Sequence, residues 1–267
     1  MSAVRLLVTR PPDQAQDWVQ RLQTRGVDAV ALPLIHVAPP ADMALLRQAW
    51  HTLAQQRLVM FVSANAVSGF FAARPTGAPW PAQTLAGATG PGTSAALRAQ
   101  GVPTACVVEP PRQAAQFDSE ALWRQLKRHD WAGQSALVVR GEDGRDWLAE
   151  QLTGRGARVH FVAAYRRTVP VLAPTEQTLL ADARAQPRAW LWLLSSSQAV
   201  DHLRQLAPAS DWSAAQAIAT HARIEQAARA AGFGQVRSCA PTVDAVAAVV
   251  AEMARSLQSP PPPAQRR

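Results

Sequence analysis

At 267 residues and 48% hydrophobic composition, the chain has apolar side chains enough for one large core or two small ones, and it lacks the run of about 18 apolar residues that a membrane span requires. Its net charge of +8 and isoelectric point near 11.1 call for an anionic partner, whether nucleic acid, phosphate or a polycarboxylate. Cys106 and Cys239 each stand alone in an apolar segment, which argues against a disulfide framework or a thiolate metal site.

Met1 runs straight into the apolar residues 4–8 without a charged and apolar leader, so a cytoplasmic protein with no membrane contact is expected. Residues 4–8 read as a strand. Asp13 with Gln16 resembles a capping box for a helix that places Trp18, Val19 and Leu22 on one face, and Gly26 sits where a left-handed C-terminal cap belongs. A second strand at 28–32 leads into a proline-containing crossing, Leu32 to Val37. Further strands are expected at 58–62, 84–88, 104–108, 135–140, 157–163, 189–194, 215–219 and 235–239, with helices in nearly every gap. The last helix repeats its apolar face at Val246, Val249, Val250 and Met253 after a Thr242 cap. From Ser259 the Pro-rich tail has no apolar periodicity and is expected to be disordered. Short strands alternating with amphipathic helices make the fold class α/β, with parallel sheets.

Two parts of the chain echo each other at an offset near 130 residues. Ser63-Ala64-Asn65-Ala66-Val67 follows an apolar run, and so does Ser196-Ser197-Gln198-Ala199-Val200. Leu85 to Thr89 leads to a small-residue helix closed by Gly101, as Ala217 to Thr220 leads to one closed by Gly232; Ser119 to Leu122 pairs likewise with Val243 to Val246. A duplicated α/β domain accounts for all three echoes. The extra crossing at Leu32–Val37 and the extended Val159–Thr168 would be its two linkers. The expected organisation is discontinuous: residues 1–35 with 167–257 as one domain, 36–166 as the other, and 258–267 as a tail.

In an open parallel sheet, ligands meet the carboxyl ends of the strands, where helix N-termini offer unpaired N–H groups. The strand-to-helix loops there contain Thr9-Arg10, Ser63-Ala64, Thr89, Thr93, Arg140-Gly141, Arg145, Ser195-Ser196-Ser197 and Thr220-His221. One such hydroxyl is ordinarily a helix cap; many of them converging on a shared cleft would form a polyanion site. Glycines such as Gly141 would admit close backbone approach, or simply permit tight turns. The Gly90-Pro91-Gly92-Thr93 loop has no Gly-Lys-Ser/Thr, and no dinucleotide fingerprint follows the first strand, so no nucleotide cofactor is expected. The six histidines lack metal-site spacing, so no metal is expected. The arginines are dispersed among alanines rather than clustered with aromatics, which argues against a nucleic-acid groove.

Five motifs in this order, Val8-Thr9-Arg10-Pro11, Phe61 to Val67, Ser119 to Leu122, Val138 to Arg145 and Ala164-Tyr165-Arg166-Arg167, resemble those of the uroporphyrinogen-III synthase family over residues 4–256. The resemblance implies two flavodoxin-like α/β domains joined by a two-stranded linker, with the N-terminal segment in the C-terminal domain. It also implies a cofactor-free lyase that cyclises the polycarboxylate hydroxymethylbilane, losing water and inverting ring D through a spiro intermediate. By the same resemblance Tyr165, the single tyrosine, acts near the leaving hydroxyl, and Ser63, Thr93, Ser196 and Ser197 match carboxylate-contacting positions; Arg10, Arg140, Arg145 and Arg166 are either further carboxylate partners or surface ion-pair partners. The chain departs from the family at Ala219 to Arg223, where relatives carry a Gly-x-Thr type loop and Thr220 and His221 stand instead. A monomer in transient contact with the upstream bilane-producing enzyme is implied too. The competing readings are a hinge-closing solute receptor and a nucleic-acid-binding protein, and neither accounts for the five ordered motifs.

Overall fold

A computed structural model describes residues 4–111, 113, 117–142 and 146–258; Arg145 and the tail from Ser259 lie outside the described residues. The chain opens with β1 (Arg5–Val8), α1 (Pro12–Gln23) and β2 (Ala29–Ala31). Asp13 and Gln16 do not form the capping box. Pro11 is the N-cap with no side-chain bond, and Pro12 opens the helix, because its fixed φ is already helical and its missing N–H costs nothing there. Gly26 does take the left-handed φ of +75°.

There follow β3 (His36–Ala38), α2 (Met43–His51), β4 (Leu58–Phe61), α3 (Ala64–Ala72), β5 (Leu85–Ala88) and α4 (Pro91–Ala99). The strand expected at 104–108 is only β6 (Val107–Val108), since Thr104–Cys106 form a 3₁₀ turn behind Pro103. Next come α5 (Ser119–Leu126), β7 (Ser135–Gly141), α6 (Trp147–Thr153) and β8 (Arg158–Thr168). The chain continues as α7 (Pro174–Ala185), β9 (Trp190–Leu194), α8 (Ser197–Leu206), β10 (Gln216–Ala219), α9 (Ala222–Ala230), β11 (Gln235–Ser238) and α10 (Val243–Gln258). Thr242 caps α10, its Oγ1 accepting the Ala245 N–H at 3.2 Å.

Two compact units result, divided at His36/Val37 and Arg167/Thr168. One holds a sheet of order β11-β10-β9-β1-β2, the other a sheet of order β3-β8-β7-β4-β5-β6, so the two proline-flanked crossings β3 and β8 are hydrogen-bonded neighbours. β1 pairs with β2 and β9, β9 with β10 and β10 with β11, while β4 pairs with β5 and β7, β5 with β6 and β7 with β8, all of them parallel. Outward from the centre, β9-β10-β11 corresponds to β4-β5-β6 and β1-β2 to β7-β8. The two sheets thus share one spatial order, 2-1-3-4-5 in the first unit and its circular permutation in the second.

Burial on both faces explains why the central strands read as unbroken apolar runs. In β9, Trp190, Trp192 and Leu194 enter one core cluster while Leu191 and Leu193 enter the other. Likewise Val59 and Phe61 of β4 face one cluster, and Leu58 and Met60 the opposite one. An aromatic group supports α3: Trp50 stacks on Phe70 at 4.8 Å between centroids, and its indole N–H donates to the Phe70 carbonyl at 2.8 Å. Each such side chain contributes roughly 1.5–3 kcal/mol of burial free energy.

Candidate active site

In each sheet the connections diverge from one central pair of strands, and the crevice at their carboxyl ends is where such folds hold ligands. In the first unit that pair is β1 and β9, and in the second it is β4 and β7. All the described candidate residues lie at carboxyl ends of strands or in the helix turns that follow, and the two crevices differ in what they offer.

In the first unit, Thr9 does not present its hydroxyl outward. It is buried, and Oγ1 donates to the Leu193 carbonyl at 2.7 Å, tying the end of β1 to β9. Arg10 follows with its guanidinium 4.0 Å above the Trp18 ring, while Nη1 reaches Gln14 at 3.4 Å and Nε is buried without a partner. Burial pushes the Arg10 pKa down to about 10. A cation is thus carried at a desolvation cost with one donor left without a partner.

Beyond the end of β9, in the turn that opens α8, stand Ser195, Ser196 and Ser197. Ser196 is the extended N-cap of α8 yet makes no side-chain cap bond, and the Ser195 and Ser197 hydroxyls are buried without partners. Ordinary capping therefore does not use this hydroxyl run. Thr220 is buried at the end of β10, its N–H donating to the Leu194 carbonyl at 3.2 Å. His221 caps α9 by accepting the Arg223 N–H on Nδ1 at 3.2 Å, which in the neutral ring leaves the proton on Nε2 as the donor it has to offer.

In the second unit, Ser63 caps α3, accepting the Ala66 N–H at 3.2 Å, and Ala64 exposes the first turn of that helix. Thr89 Oγ1 donates to the Val62 carbonyl at 3.1 Å, so it braces the end of β4. Thr93 is buried in the first turn of α4. Arg140 pairs with Asp146 and stacks 4.3 Å from the Phe161 centroid.

Tyr165 is 4% exposed near the end of β8, and Ser63 Oγ donates to its phenol oxygen at 3.4 Å. The place for its ring is made by two features. The ladder between β7 and β8 shifts register, so that Arg140 faces Ala163 while Gly141 faces Tyr165. Gly141 has no Cβ, and one built there would come within 3.1 Å of Tyr165 Cε2 and Cζ. Gly141 thus leaves room for the tyrosine ring, at a position where the sequence suggested either close backbone approach or a tight turn. A groove of about 260 Å³ within this unit runs beside the ring, lined by Val37, Met43, Asn65, Ser68 and Ala164 among others.

Sequence reasoning chose Arg166 and passed over Arg167. Side chains alternate along a strand, so Arg167 shares the face of Tyr165 and Arg166 takes the other. Both arginines are exposed, but only Arg167 reaches the tyrosine, its Nη2 donating to the Tyr165 oxygen at 3.3 Å. The alternation was available as a signal once β8 was taken to run past residue 163. Ser195 was likewise visible as the first member of the serine run. Among the described residues no group of three or more His, Cys, Asp or Glu could hold a metal, and no helix is long and apolar enough to cross a membrane.

The family model Uroporphyrinogen-III synthase HemD matches residues 16–248. The uroporphyrinogen-III synthase of Salmonella typhimurium is 32% identical over 163 residues, a match spanning 61% of this chain and 64% of that protein. That of Escherichia coli K12 is 29% identical over 206 residues, covering 76% of this chain and 80% of its own length. Among solved structures, a uroporphyrinogen-III synthetase from Helicobacter pylori aligns over 96% of this chain and 100% of its own, with TM-score 0.57 and 15% identity. A mutant uroporphyrinogen III synthase from Thermus thermophilus aligns over 96% and 99%, with TM-score 0.56 and 18% identity. Such low identities bear on the fold alone, and that fold is the two-unit α/β arrangement described above. With the family model covering most of its length, the chain belongs to the uroporphyrinogen-III synthase family, lyases of tetrapyrrole biosynthesis.

Proposed function

We propose that the chain converts hydroxymethylbilane to uroporphyrinogen III, and that Tyr165 is its proton donor. The pyrrole nitrogen supplies the electron pair that expels the hydroxymethyl oxygen, which takes a proton from the phenol and leaves as water. The azafulvene so formed is attacked by the far pyrrole through its substituted carbon, giving the spiro intermediate. One bond of that intermediate breaks, the ring turns, the bond at the neighbouring position forms, and a ring proton is lost. The chemistry needs no cofactor.

What the protein supplies is position and charge. Holding the two ends of the bilane together is worth up to roughly 7–11 kcal/mol, whereas general acid catalysis contributes typically 10²- to 10⁴-fold. The substrate carboxylates call for the donors found at the strand ends: Arg10 and the Ser195–Ser197 run in one unit, the first turn of α3 behind Ser63 in the other. Thr93, Arg140, Arg145, Arg166, Thr220 and His221 are proposed as outlying partners of the same carboxylates. Thr9, Thr89 and Gly141 serve by shaping the strand ends. The same reading makes the protein a cytoplasmic monomer that receives its unstable substrate from the enzyme that makes it.

The observation that carries the reading is the only tyrosine in the chain, buried at a strand end of a family member with its oxygen held by Ser63. Incubation with hydroxymethylbilane, oxidation and chromatographic separation of porphyrin isomers tests it. Type III product is expected, and the spontaneous type I isomer alone, formed in the presence of folded protein, would refute the activity. Tyr165→Phe should fold normally and turn over roughly 10²-fold more slowly. Wild-type turnover in that variant would remove Tyr165 from the mechanism.

A further inference from the structure

We propose that Arg167 is a positioning residue for Tyr165: with Ser63 it occupies both acceptor sites of the phenol oxygen and so directs the phenol proton outward. The inference rests on the reading of Tyr165 as proton donor and goes beyond it, because it says what aims the proton.

A phenol has one O–H to give and two lone pairs to fill. Arg167 Nη2 lies 3.3 Å from the Tyr165 oxygen, and its guanidinium carbon stands 5.5 Å from the ring centroid. A guanidinium only donates and stays charged, so the direction of that bond is fixed. The second lone pair faces Ser63 Oγ at 3.4 Å, and Ser63 in turn accepts the Ala66 N–H at 3.2 Å. A chain of donors therefore runs from the first turn of α3 through Ser63 to the phenol, and a second one arrives from Arg167. With both acceptor positions taken, the phenol proton meets no acceptor among the described residues of this unit and is left for a bound one. The ring is held on its flank by the close approach of Gly141, where a Cβ would lie 3.1 Å from Cε2. Placement of Arg167 costs the fold little, since β8 continues to Thr168 and residues two apart share a face.

Arg167→Gln, Tyr165→Phe and the double variant form the test, with kcat and KM measured for type III product and folding checked by circular dichroism. Arg167→Gln is expected to lower kcat about tenfold with KM held within about twofold, the size of one charge-assisted hydrogen bond. In the Tyr165→Phe background the same change should have no further effect, because the oxygen through which Arg167 acts is gone. A full additional loss in the double variant would overturn the proposal and leave Tyr165 as proton donor, as would a raised KM with unchanged kcat, the mark of a direct carboxylate contact. Unimpaired Tyr165→Phe would overturn both readings together. If Arg167→Gln does not fold, Arg167→Met carries the same cycle with the same expectations.

Discussion

Arg10 bears a cost that the native protein carries at every physiological pH. Its buried guanidinium has a pKa lowered to about 10, so the native state releases the proton earlier than the unfolded chain does. Stability is therefore gained only as pH rises from about 10 toward the ordinary arginine range, and below about 10 the full desolvation cost remains. Stacking on Trp18 offsets part of it. Arg10→Met keeps much of the packing and removes the charge, so it should stabilise the protein by about 1–3 kcal/mol while raising KM. Urea unfolding and steady-state kinetics check the two halves; a destabilised variant would mean that stacking outweighs desolvation. Such a trade of stability for binding is the usual mark of a functional group.

At the scale of elements, the site depends on α3 meeting β8 at close range. A Cβ on Gly69 of α3 would lie 2.0 Å from the Ala164 carbonyl oxygen, next to Tyr165. Backbone cannot yield as a side chain does, so Gly69→Ala must push the helix that holds Ser63 away from the strand that holds Tyr165. The expected loss is about 1–3 kcal/mol of stability, with kcat falling further than the unfolded fraction explains. Gly234 provides the comparison: its Cβ would lie 1.8 Å from the Ser213 carbonyl oxygen in the first unit, whereas the tyrosine belongs to the second. Gly234→Ala should destabilise comparably yet leave the kcat of the folded fraction near wild type. Thermal melts beside activity per folded molecule separate the two effects, and equal kcat losses would refute the link between α3 placement and catalysis.

For the whole molecule, the net charge of +8 and a polycarboxylate substrate make encounter and binding electrostatic. Raising the ionic strength from about 0.05 to 0.5 M should raise KM roughly 3- to 10-fold and change kcat much less, since long-range attraction between exposed charges is screened while the Tyr165 phenol is buried and held by direct hydrogen bonds. An unchanged KM would place recognition in buried contacts alone. The duplication belongs to this scale as well. The spatial order of strands is common to the two sheets, but the first unit draws β1 and β2 from the start of the chain and β9 to β11 from its end. The echoes at an offset near 130 residues showed the repeat, because Ser63 and Ser196 each precede a helix after a central strand.

Local physics made much of this legible before any coordinates. Apolar runs buried on both faces, small-residue helices and left-handed glycines at 26, 101 and 232 are properties of short stretches of chain, and they determined the α/β class, the strand-to-helix alternation and the loops where ligands meet the sheet. Tertiary structure decided which hydroxyls are free. Thr9 and Ser197 look alike in sequence, yet Thr9 is spent on a carbonyl of Leu193, far along the chain, while Ser197 is left unpartnered. It also decided that Arg167 rather than Arg166 meets the tyrosine, that Gly141 clears room for a ring, and that Pro12 rather than Asp13 starts α1. The reason is one of range: periodicity and turn preference act over a few residues, whereas the partner that uses up a hydrogen bond or fills a space is brought in by the pairing of strands distant in the chain.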